Sequence, residues 1–316
     1  MFELLLPGDV ARQYESRILE VAPSRLRIVL DPDVSRAEIA VTGSYDRPFE
    51  EIVADMPSLR WIHSTSAGID ALHSPEIEAR GLLLTSSAGV YAPAMAEYAI
   101  TAMVLLARGW STWLESQRER CWPDRSSSGT NLRGKVLGIV GYGGVGRRLA
   151  LAAKALGMTV LATRRTPLVT SAEPLDVLLP PEALSRLLAD SDFVVVSASL
   201  NSSTKGLIGD RELRTMKQGA FLINLSRGAL IDQDALVQAL TDRRIGGAVI
   251  DVANPEPLPS DSPLWNAPNL WITPHVAGDT VEGRQAAIDL LCENLRFYVR
   301  GKADRMTNLV DVRAHR

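Results

Sequence analysis

A glycine-rich segment in the middle of the chain carries the strongest chemical signal in the sequence. Residues 141–146 follow the apolar run 136–140 and precede apolar residues at helical spacing. In this setting the first glycine allows a tight turn, the second lets a pyrophosphate approach the backbone, and the third lets helix pack on strand. The first turn of the helix then offers unpaired N–H groups to the phosphates. A structural turn is the alternative, but the flanks favour a dinucleotide site formed by Gly141, Tyr142, Gly143, Gly144, Val145 and Gly146.

The strand predicted after this helix ends in two arginines where many dinucleotide sites carry an acid. Residues 163–166 read Thr-Arg-Arg-Thr. An acid at this place usually accepts a hydrogen bond from the adenosine 2′-hydroxyl of NAD, whereas guanidinium groups suit a 2′-phosphate. A charge-assisted hydrogen bond contributes about 1.5–3 kcal/mol. Thr163, Arg164 and Arg165 therefore predict a preference for NADPH, and NAD stays possible if the arginines only face water.

Three later segments place charged or titratable side chains shortly after apolar runs that predict strands. The side chains are Arg227, Glu256 and His275. Ligands of open parallel sheets bind outside the carboxyl ends of the strands. Because these strands belong to the same series as the one before the glycine segment, we expect the three side chains to meet beside the nicotinamide. Taken singly, Glu256 could instead be a surface acid and Arg227 a salt-bridge residue.

In this order and at this spacing, the segments resemble those of the D-isomer-specific 2-hydroxyacid dehydrogenases. The resemblance runs from about Ser64 to Asp311 and includes residues 219–228 (Gly-Ala-Phe-Leu-Ile-Asn-Leu-Ser-Arg-Gly) and 273–278 (Thr-Pro-His-Val-Ala-Gly). Further matching pieces are the glycine segment, Asp251-Val252, Glu256-Pro257-Leu258-Pro259 and Ser262-Pro263-Leu264-Trp265. The resemblance implies hydride transfer between nicotinamide C4 and C2 of a 2-keto or D-2-hydroxy acid.

The resemblance also implies roles for the three polar residues. His275 matches the family's acid/base, which protonates the carbonyl oxygen or takes the hydroxyl proton in reverse, as an imidazole can near neutral pH. Glu256 matches the carboxylate that pairs with this imidazole. Arg227 matches the arginine that binds the substrate carboxylate and polarises the carbonyl, a task that suits a planar guanidinium.

Other positions are carried over from the family in the same way. Ser66, Ala67 and Gly68 resemble the loop whose N–H groups hold the substrate carboxylate. The remaining positions match cofactor contacts and are Ser199, Leu200, Asn201, Thr204, Leu225, Ser226, Asp251, His275, Ala277 and Gly278. The family usually has Pro, Thr and Ala where this chain has Ser199, Asn201 and Ser226. These departures leave the shape of the loop after residue 198 open.

Two series of short apolar runs alternate with helical patterns, which predicts an α/β protein with parallel sheets. Five predicted strands lie before residue 90, and six lie between residues 136 and 273. The family fold implies a Rossmann doubly wound domain, residues 99–279, inserted in a smaller flavodoxin-like α/β substrate domain, residues 1–98 and 280–316. It also implies a homodimer joined through the cofactor domain. We expect Ser111–Arg133 at that contact, with three tryptophans as anchors or as cover for their own domain: Trp110, Trp113 and Trp122.

Composition narrows the class of protein. The 316 residues carry a formal net charge of −3, so no basic excess draws the chain to nucleic acid or to an anionic membrane. Two cysteines are too few for a disulfide framework or a zinc cluster. No apolar stretch approaches the roughly 20 residues that a bilayer needs, and the N-terminus lacks a signal peptide pattern. We therefore expect a cytoplasmic enzyme without a metal.

The substrate stays open at this stage. The length of the chain favours small 2-keto acids such as glyoxylate or hydroxypyruvate. Family members of similar build act on phosphoglycerate, formate or phosphite. A dinucleotide-sensing co-repressor is an alternative of another class, although the presence of Arg227, Glu256 and His275 favours an enzyme.

Overall fold

The chain folds into two compact units. The structure, a computed structural model, describes residues 1–69, 72, 77, 79–123, 129–166 and 173–310. The first unit comprises Met1–Tyr91 with Thr280–Arg316, and the second comprises Ala92–Asp279. The first boundary expected from the sequence, 98/99, falls inside a helix that belongs wholly to the second unit. Assigning substrate and cofactor to the two units stays a prediction.

The elements alternate along the chain as the apolar pattern predicts. The strands are β1 (Phe2–Leu5), β2 (Leu26–Val29), β3 (Ile39–Val41), β4 (Trp61–Ser64), β5 (Leu83–Ser86), β6 (Val136–Val140), β7 (Thr159–Thr163), β8 (Val177–Leu179), β9 (Phe193–Val196), β10 (Phe221–Asn224), β11 (Gly247–Ile250) and β12 (Leu270–Ile272). The α-helices are α1 (Gly8–Leu19), α2 (Phe49–Ala54), α3 (Ala92–Ala107), α4 (Trp110–Arg118), α5 (Gly144–Ala155), α6 (Leu184–Asp190), α7 (Asp210–Thr215), α8 (Gln233–Thr241) and α9 (Val281–Tyr298). Every predicted strand overlaps an observed one, and β8 is the only strand among the described residues that was not predicted.

The first unit contains a five-stranded parallel sheet in the order β2-β1-β3-β4-β5. This is the strand order of flavodoxin-like folds. Successive residues of β1 point to opposite faces, so Leu4 packs in the cluster with Ile18 and Leu291, from α1 and α9, whereas Leu5 packs with Ile52 of α2. Burial on both faces explains the continuous apolar strands.

The second unit contains a seven-stranded parallel sheet in the order β12-β11-β10-β9-β6-β7-β8. This is the doubly wound order of Rossmann folds, with the switch between β6 and β9. Helices α3 and α5 cover one face through residues such as Met103 and Leu149, and α6 and α8 cover the other through Leu187 and Leu236. The predicted fold class is confirmed for both units.

The segment after α3 differs from the rest of the second unit. Gly109, at φ 63°, ends the apolar helix, and α4 contains no buried residue. Ser111 ties α4 to the sheet, because its hydroxyl accepts the Trp271 Nε1–H at 2.9 Å and donates to Asn269 Oδ1 at 3.0 Å. Throughout the part of the chain that the structure describes, every helix is too short or too polar to cross a membrane.

One titratable side chain lies inside the first sheet. His63, on β4, has no solvent exposure. Its Nδ1 lies 2.8 Å from Thr85 Oγ1, and its Nε2 has no hydrogen-bond partner. Burial lowers the pKa of His63 to about 4, from 6.5. The folded protein therefore resists protonation of a group that the unfolded chain protonates readily.

This burial predicts an acid-sensitive contribution to stability. Between pH 6.5 and 4 the unfolded chain binds a proton at His63 that the folded chain does not, so the free energy of unfolding falls as the pH is lowered through this window. The loss is on the order of 3 kcal/mol. Urea unfolding of the wild type and of His63→Gln at pH 7 and pH 4.5 measures it. The variant should lose less stability between the two pH values, and an equal loss in both proteins would contradict the assignment.

Candidate active site

The three charged or titratable residues predicted to do chemistry follow adjacent strands of the second sheet. Arg227 lies after β10, Glu256 after β11 and His275 after β12. These strands are hydrogen-bonded neighbours and run parallel, so their carboxyl ends form one edge. The glycine segment follows β6 at the same edge. The fold thus places the acid–base candidates and the dinucleotide candidate where such sheets bind ligands.

A direct contact joins the imidazole to the carboxylate. His275 Nδ1 lies 2.9 Å from Glu256 Oε2, and the two side chains are 49% and 40% exposed. The other carboxylate oxygen accepts the Ala253 N–H at 3.0 Å. With Nδ1 directed at a carboxylate, Nε2 is the ring nitrogen that can exchange a proton with a ligand. The pair can therefore act as an oriented acid–base group.

A close backbone contact joins the arginine loop to this pair. A Cβ atom added at Gly228 would lie 2.1 Å from the carbonyl carbon of Ala253, so only glycine lets the two loops approach this closely. Arg227 precedes this glycine, and its Nη1 donates to the Ser226 carbonyl at 2.8 Å. The Asn224 amide bonds both ends of the turn, accepting from Ser226 N at 3.1 Å and donating to Arg227 O at 3.0 Å. Gly228 had no assigned role in the sequence analysis.

The loop that carries His275 is held by one buried acid. His275 has φ 58°, in the left-handed region that a β-carbon disfavours. Its N–H donates to the Asp251 carbonyl at 2.7 Å, and the next two N–H groups, of Val276 and Ala277, donate to the Asp251 carboxylate at 2.8 Å each. Asp251 is only 2% exposed. Three consecutive amides thus bind a single residue, whose predicted contact with the nicotinamide stays a prediction.

The glycine segment has the geometry that a dinucleotide requires. Gly141 has φ 95°, and a Cβ atom there would lie 2.5 Å from Ala198 Cα. A Cβ at Gly146 would meet the Gly141 carbonyl oxygen at 3.1 Å, which reflects the tight packing of helix on strand. At Gly143 it would meet nothing within 4 Å, so the backbone here faces open space. The segment fits a pyrophosphate beside the first turn of α5.

The arginines at the end of β7 lie beside this segment. Arg164 Nη1 lies 3.4 Å from the Tyr142 carbonyl oxygen, and Arg165 is exposed. Thr163 is 5% exposed, and its hydroxyl accepts the Gly141 N–H at 3.3 Å. The structure therefore places the Thr163 side chain under the glycine segment and the two guanidinium groups nearer to solvent.

An acid that the sequence analysis did not identify also contacts the glycine segment. Glu173 Oε2 accepts the Tyr142 hydroxyl and the Arg147 Nε–H, both at 3.0 Å. Burial and the neighbouring Glu173 carboxylate raise the pKa of the Tyr142 hydroxyl. Glu173 lies 26 residues after Arg147, and no motif marks it in the sequence.

The loop after β9 keeps a defined shape despite its departures from the family pattern. Asn201 Oδ1 accepts the backbone N–H and the hydroxyl of Ser203, at 2.9 and 2.6 Å. The Thr204 hydroxyl donates to the Ser199 carbonyl at 2.7 Å and accepts the Asn201 N–H at 2.8 Å. Ser226 bonds the Ala198 carbonyl from the neighbouring loop. These polar side chains therefore hold the loop itself.

The other predicted site residues divide by burial. Leu225 and Ala277 have buried side chains, so only their backbone could meet a cofactor, whereas Leu200 and Gly278 are partly exposed. Ser66, Ala67 and Gly68 follow β4 in the first unit. There the Ser66 carbonyl accepts the Ser87 N–H at 3.0 Å. Within the described residues, His, Cys, Asp and Glu side chains form no group of three that could hold a metal ion.

Comparison with known proteins identifies the family. Residues 100–277 match the model of the NAD binding domain of D-isomer specific 2-hydroxyacid dehydrogenases. The chain belongs to this family. It is 31% identical over 302 residues to a glyoxylate reductase of Thermococcus litoralis, which covers 93% of this chain and 90% of that protein. It is 34% identical over 249 residues to an (S)-sulfolactate dehydrogenase of Chromohalobacter salexigens, covering 78% and 79% of the two chains.

A solved structure of the family has the same fold. It is a D-isomer specific 2-hydroxyacid dehydrogenase of Xanthobacter autotrophicus Py2 in complex with NADPH and MES, with a TM-score of 0.84 and 27% identity. The match covers 100% of this chain and 99% of that one. The family resemblance is thus confirmed, and the protein is an oxidoreductase of 2-hydroxy acids with an NAD-binding domain.

The contact at Gly228 predicts that this dehydrogenase will not tolerate a larger residue there. Gly228→Ala would force its methyl group into the Ala253 backbone, displacing Arg227 and lowering the free energy of unfolding by about 1–3 kcal/mol. Turnover should fall together with stability. Gly209→Ala is the matched control, because the nearest atom to an added Cβ there lies at an ordinary 3.6 Å. Equal turnover in the two variants would contradict the prediction.

Proposed function

We propose that the protein is an NADPH-dependent reductase of small 2-keto acids, such as glyoxylate or hydroxypyruvate. The observation that carries the proposal is the 2.9 Å contact between His275 and Glu256, at the sheet edge where the glycine segment also lies. The relatives named glyoxylate reductase and (S)-sulfolactate dehydrogenase support a 2-hydroxy or 2-keto acid substrate.

In this proposal each residue has one task. The nicotinamide, when bound, supplies or accepts the hydride at the substrate carbon. His275 gives a proton from Nε2 to the carbonyl oxygen, while Glu256 holds Nδ1 and orients the ring. Arg227 binds the substrate carboxylate and carbonyl oxygen through its guanidinium. A contact of Ser66, Ala67 and Gly68 with the substrate carboxylate stays a prediction from the family resemblance.

Turnover with a defined set of acids tests the reaction. Pure protein is assayed with NADPH and with NADH against glyoxylate, hydroxypyruvate, pyruvate and bulkier 2-keto acids. In the direction of oxidation it is assayed with NADP⁺ and with NAD⁺ against sulfolactate. His275→Ala should lower turnover with the best substrate by about 10²–10⁴-fold, because proton transfer is lost. Its affinity for the dinucleotide, measured by fluorescence titration, should stay within about twofold of the wild type.

Glu256→Gln gives a graded result in the same assay. The amide keeps a hydrogen-bond acceptor beside Nδ1 but removes the charge, so its turnover should lie between those of the wild type and His275→Ala. Near-normal turnover of His275→Ala would exclude His275 from the mechanism. Tight dinucleotide binding without turnover on any acid would favour a sensor instead.

The NADPH preference rests on the charges beside the glycine segment. Glu173 pairs with Arg147, which leaves Arg164 and Arg165 as the positive groups at the end of β7. The NADPH complex of the Xanthobacter relative shows that a member of this fold binds the phosphorylated cofactor. A 2′-phosphate between these two arginines would form charge-assisted hydrogen bonds.

Removing the guanidinium groups of Arg164 and Arg165 should reverse the preference for NADPH over NADH. Arg164→Ala with Arg165→Ala is expected to raise the KM for NADPH by about 10–100-fold, the loss of one or more charged hydrogen bonds. The KM for NADH should change by less than about twofold. Arg186→Ala is the control for the loss of a surface arginine, because this side chain on α6 is 64% exposed. A wild type that uses NADH as well as NADPH would contradict the preference.

A homodimer through α4 is part of the proposal. This helix has no buried residue, and Trp110 and Trp122 are 44% and 92% exposed. One exposed tryptophan in a helix with no buried residue, and another four residues after that helix, suit a protein–protein contact. Residues 124–128 of the expected contact segment lie outside the described residues.

A further inference from the structure

A chain of three side chains connects helix α3 to the loop that carries His275. The Tyr98 hydroxyl lies 2.6 Å from Thr273 Oγ1, and Thr273 Oγ1 lies 2.6 Å from Asp251 Oδ1. Tyr98 belongs to α3, and Thr273 directly follows β12. All three residues belong to the second unit. None of the roles assigned above uses Tyr98 or Thr273.

The direction of these hydrogen bonds follows from the protons that each group can donate. A carboxylate only accepts, and Asp251 already accepts the N–H groups of Val276 and Ala277. Thr273 must therefore give its single hydroxyl proton to Asp251, and Tyr98 must give its own to Thr273. Burial, with Asp251 nearby, raises the pKa of the Tyr98 hydroxyl, which keeps Tyr98 protonated as the donor.

The hydrogen bonds from Tyr98 and Thr273 end at the Asp251 carboxylate, which also holds the backbone next to His275. A residue at positive φ other than glycine is strained and persists only where its surroundings hold it. Here the Asp251 carbonyl accepts the His275 amide, and the Asp251 carboxylate accepts the amides of Val276 and Ala277. The Oδ1 atom that receives Thr273 also receives Val276 N–H. Rotation of the carboxylate would therefore release the amide next to His275.

We infer that Tyr98 and Thr273 are positioning residues for His275, acting through the carboxylate of Asp251. Tyr98 fixes the Thr273 hydroxyl, Thr273 fixes the rotation of the Asp251 carboxylate, and Asp251 fixes the backbone that aims the imidazole at Glu256. The inference rests on the proposed role of His275. It adds two residues that position the proton-transferring group, and one of them, Tyr98, lies 175 residues before Thr273 in sequence.

Four variants test this series of hydrogen bonds: Tyr98→Phe, Thr273→Val, their combination, and Thr273→Ser. Thr273→Val should lower kcat by about tenfold, the effect of losing one hydrogen bond to a charged group, and Tyr98→Phe by less. Thr273→Ser keeps the hydroxyl and should retain most of kcat. Because the two residues act in series, the double variant should be no slower than Thr273→Val alone. The Kd for NADPH, titrated by fluorescence, should stay within about twofold in all four.

The readouts separate positioning from a purely structural role. Tyr45→Phe is the matched control, since its hydroxyl bonds the Val41 carbonyl in the first unit, and its kcat should be unchanged. All assays are run well below the Tm of each variant, and Tyr98→Phe alone tests the chain if Thr273→Val does not fold. Normal kcat in both single variants, additive losses in the double variant, or a parallel loss of NADPH affinity would overturn the inference. An active His275→Ala would instead overturn the proposed function.

Discussion

The buried carboxylate of Asp251 is the interaction on which the acid–base edge depends. It lies at the end of β11 but determines the backbone after β12, because two successive amides of that loop bind the carboxylate and the amide before them binds the Asp251 carbonyl. Amides arranged around an anion stabilise a local bend that the chain would otherwise avoid. His275 can occupy left-handed backbone only under this constraint. The position of the imidazole is thus a property of two neighbouring strands.

Close backbone approach supplies the second constraint at this edge. Gly228 rests on the backbone of Ala253, and Gly141 rests on that of Ala198, at distances that exclude any side chain. The Ala253 amide also binds Glu256, so the contact that seats the arginine loop and the bond that orients the carboxylate share one residue. Packed backbone deforms little, and loops held this way keep their side chains in register without a large apolar core of their own.

The alternation of short apolar runs with helical patterns predicted the α/β class and the strands, because strands buried on both faces leave continuous apolar runs. The order of the strands came only from the family resemblance, since apolar patterns carry no information on which strands pair. Strand β8 was missed because three apolar residues between Asp176 and Pro180 are too few to give a pattern. The carboxyl-edge rule anticipated that Glu256 and His275 meet. The links through Tyr98 and Glu173 could not be predicted, because each joins residues far apart in sequence by a single hydroxyl or carboxylate.

Glu173 shows that the charges around a segment of the folded protein can differ from those of its neighbours in sequence. The end of β7 carries no acid in sequence, yet the fold brings a carboxylate to the hydroxyl of Tyr142, inside the glycine segment. That carboxylate has a cation beside it, because its Oε2 accepts the Arg147 guanidinium as well as the Tyr142 hydroxyl. The two charges offset each other, and the surplus positive charge at this edge stays with Arg164 and Arg165. Pairing one arginine in this way holds the glycine segment from the side and leaves the other two guanidinium groups outside this ion pair.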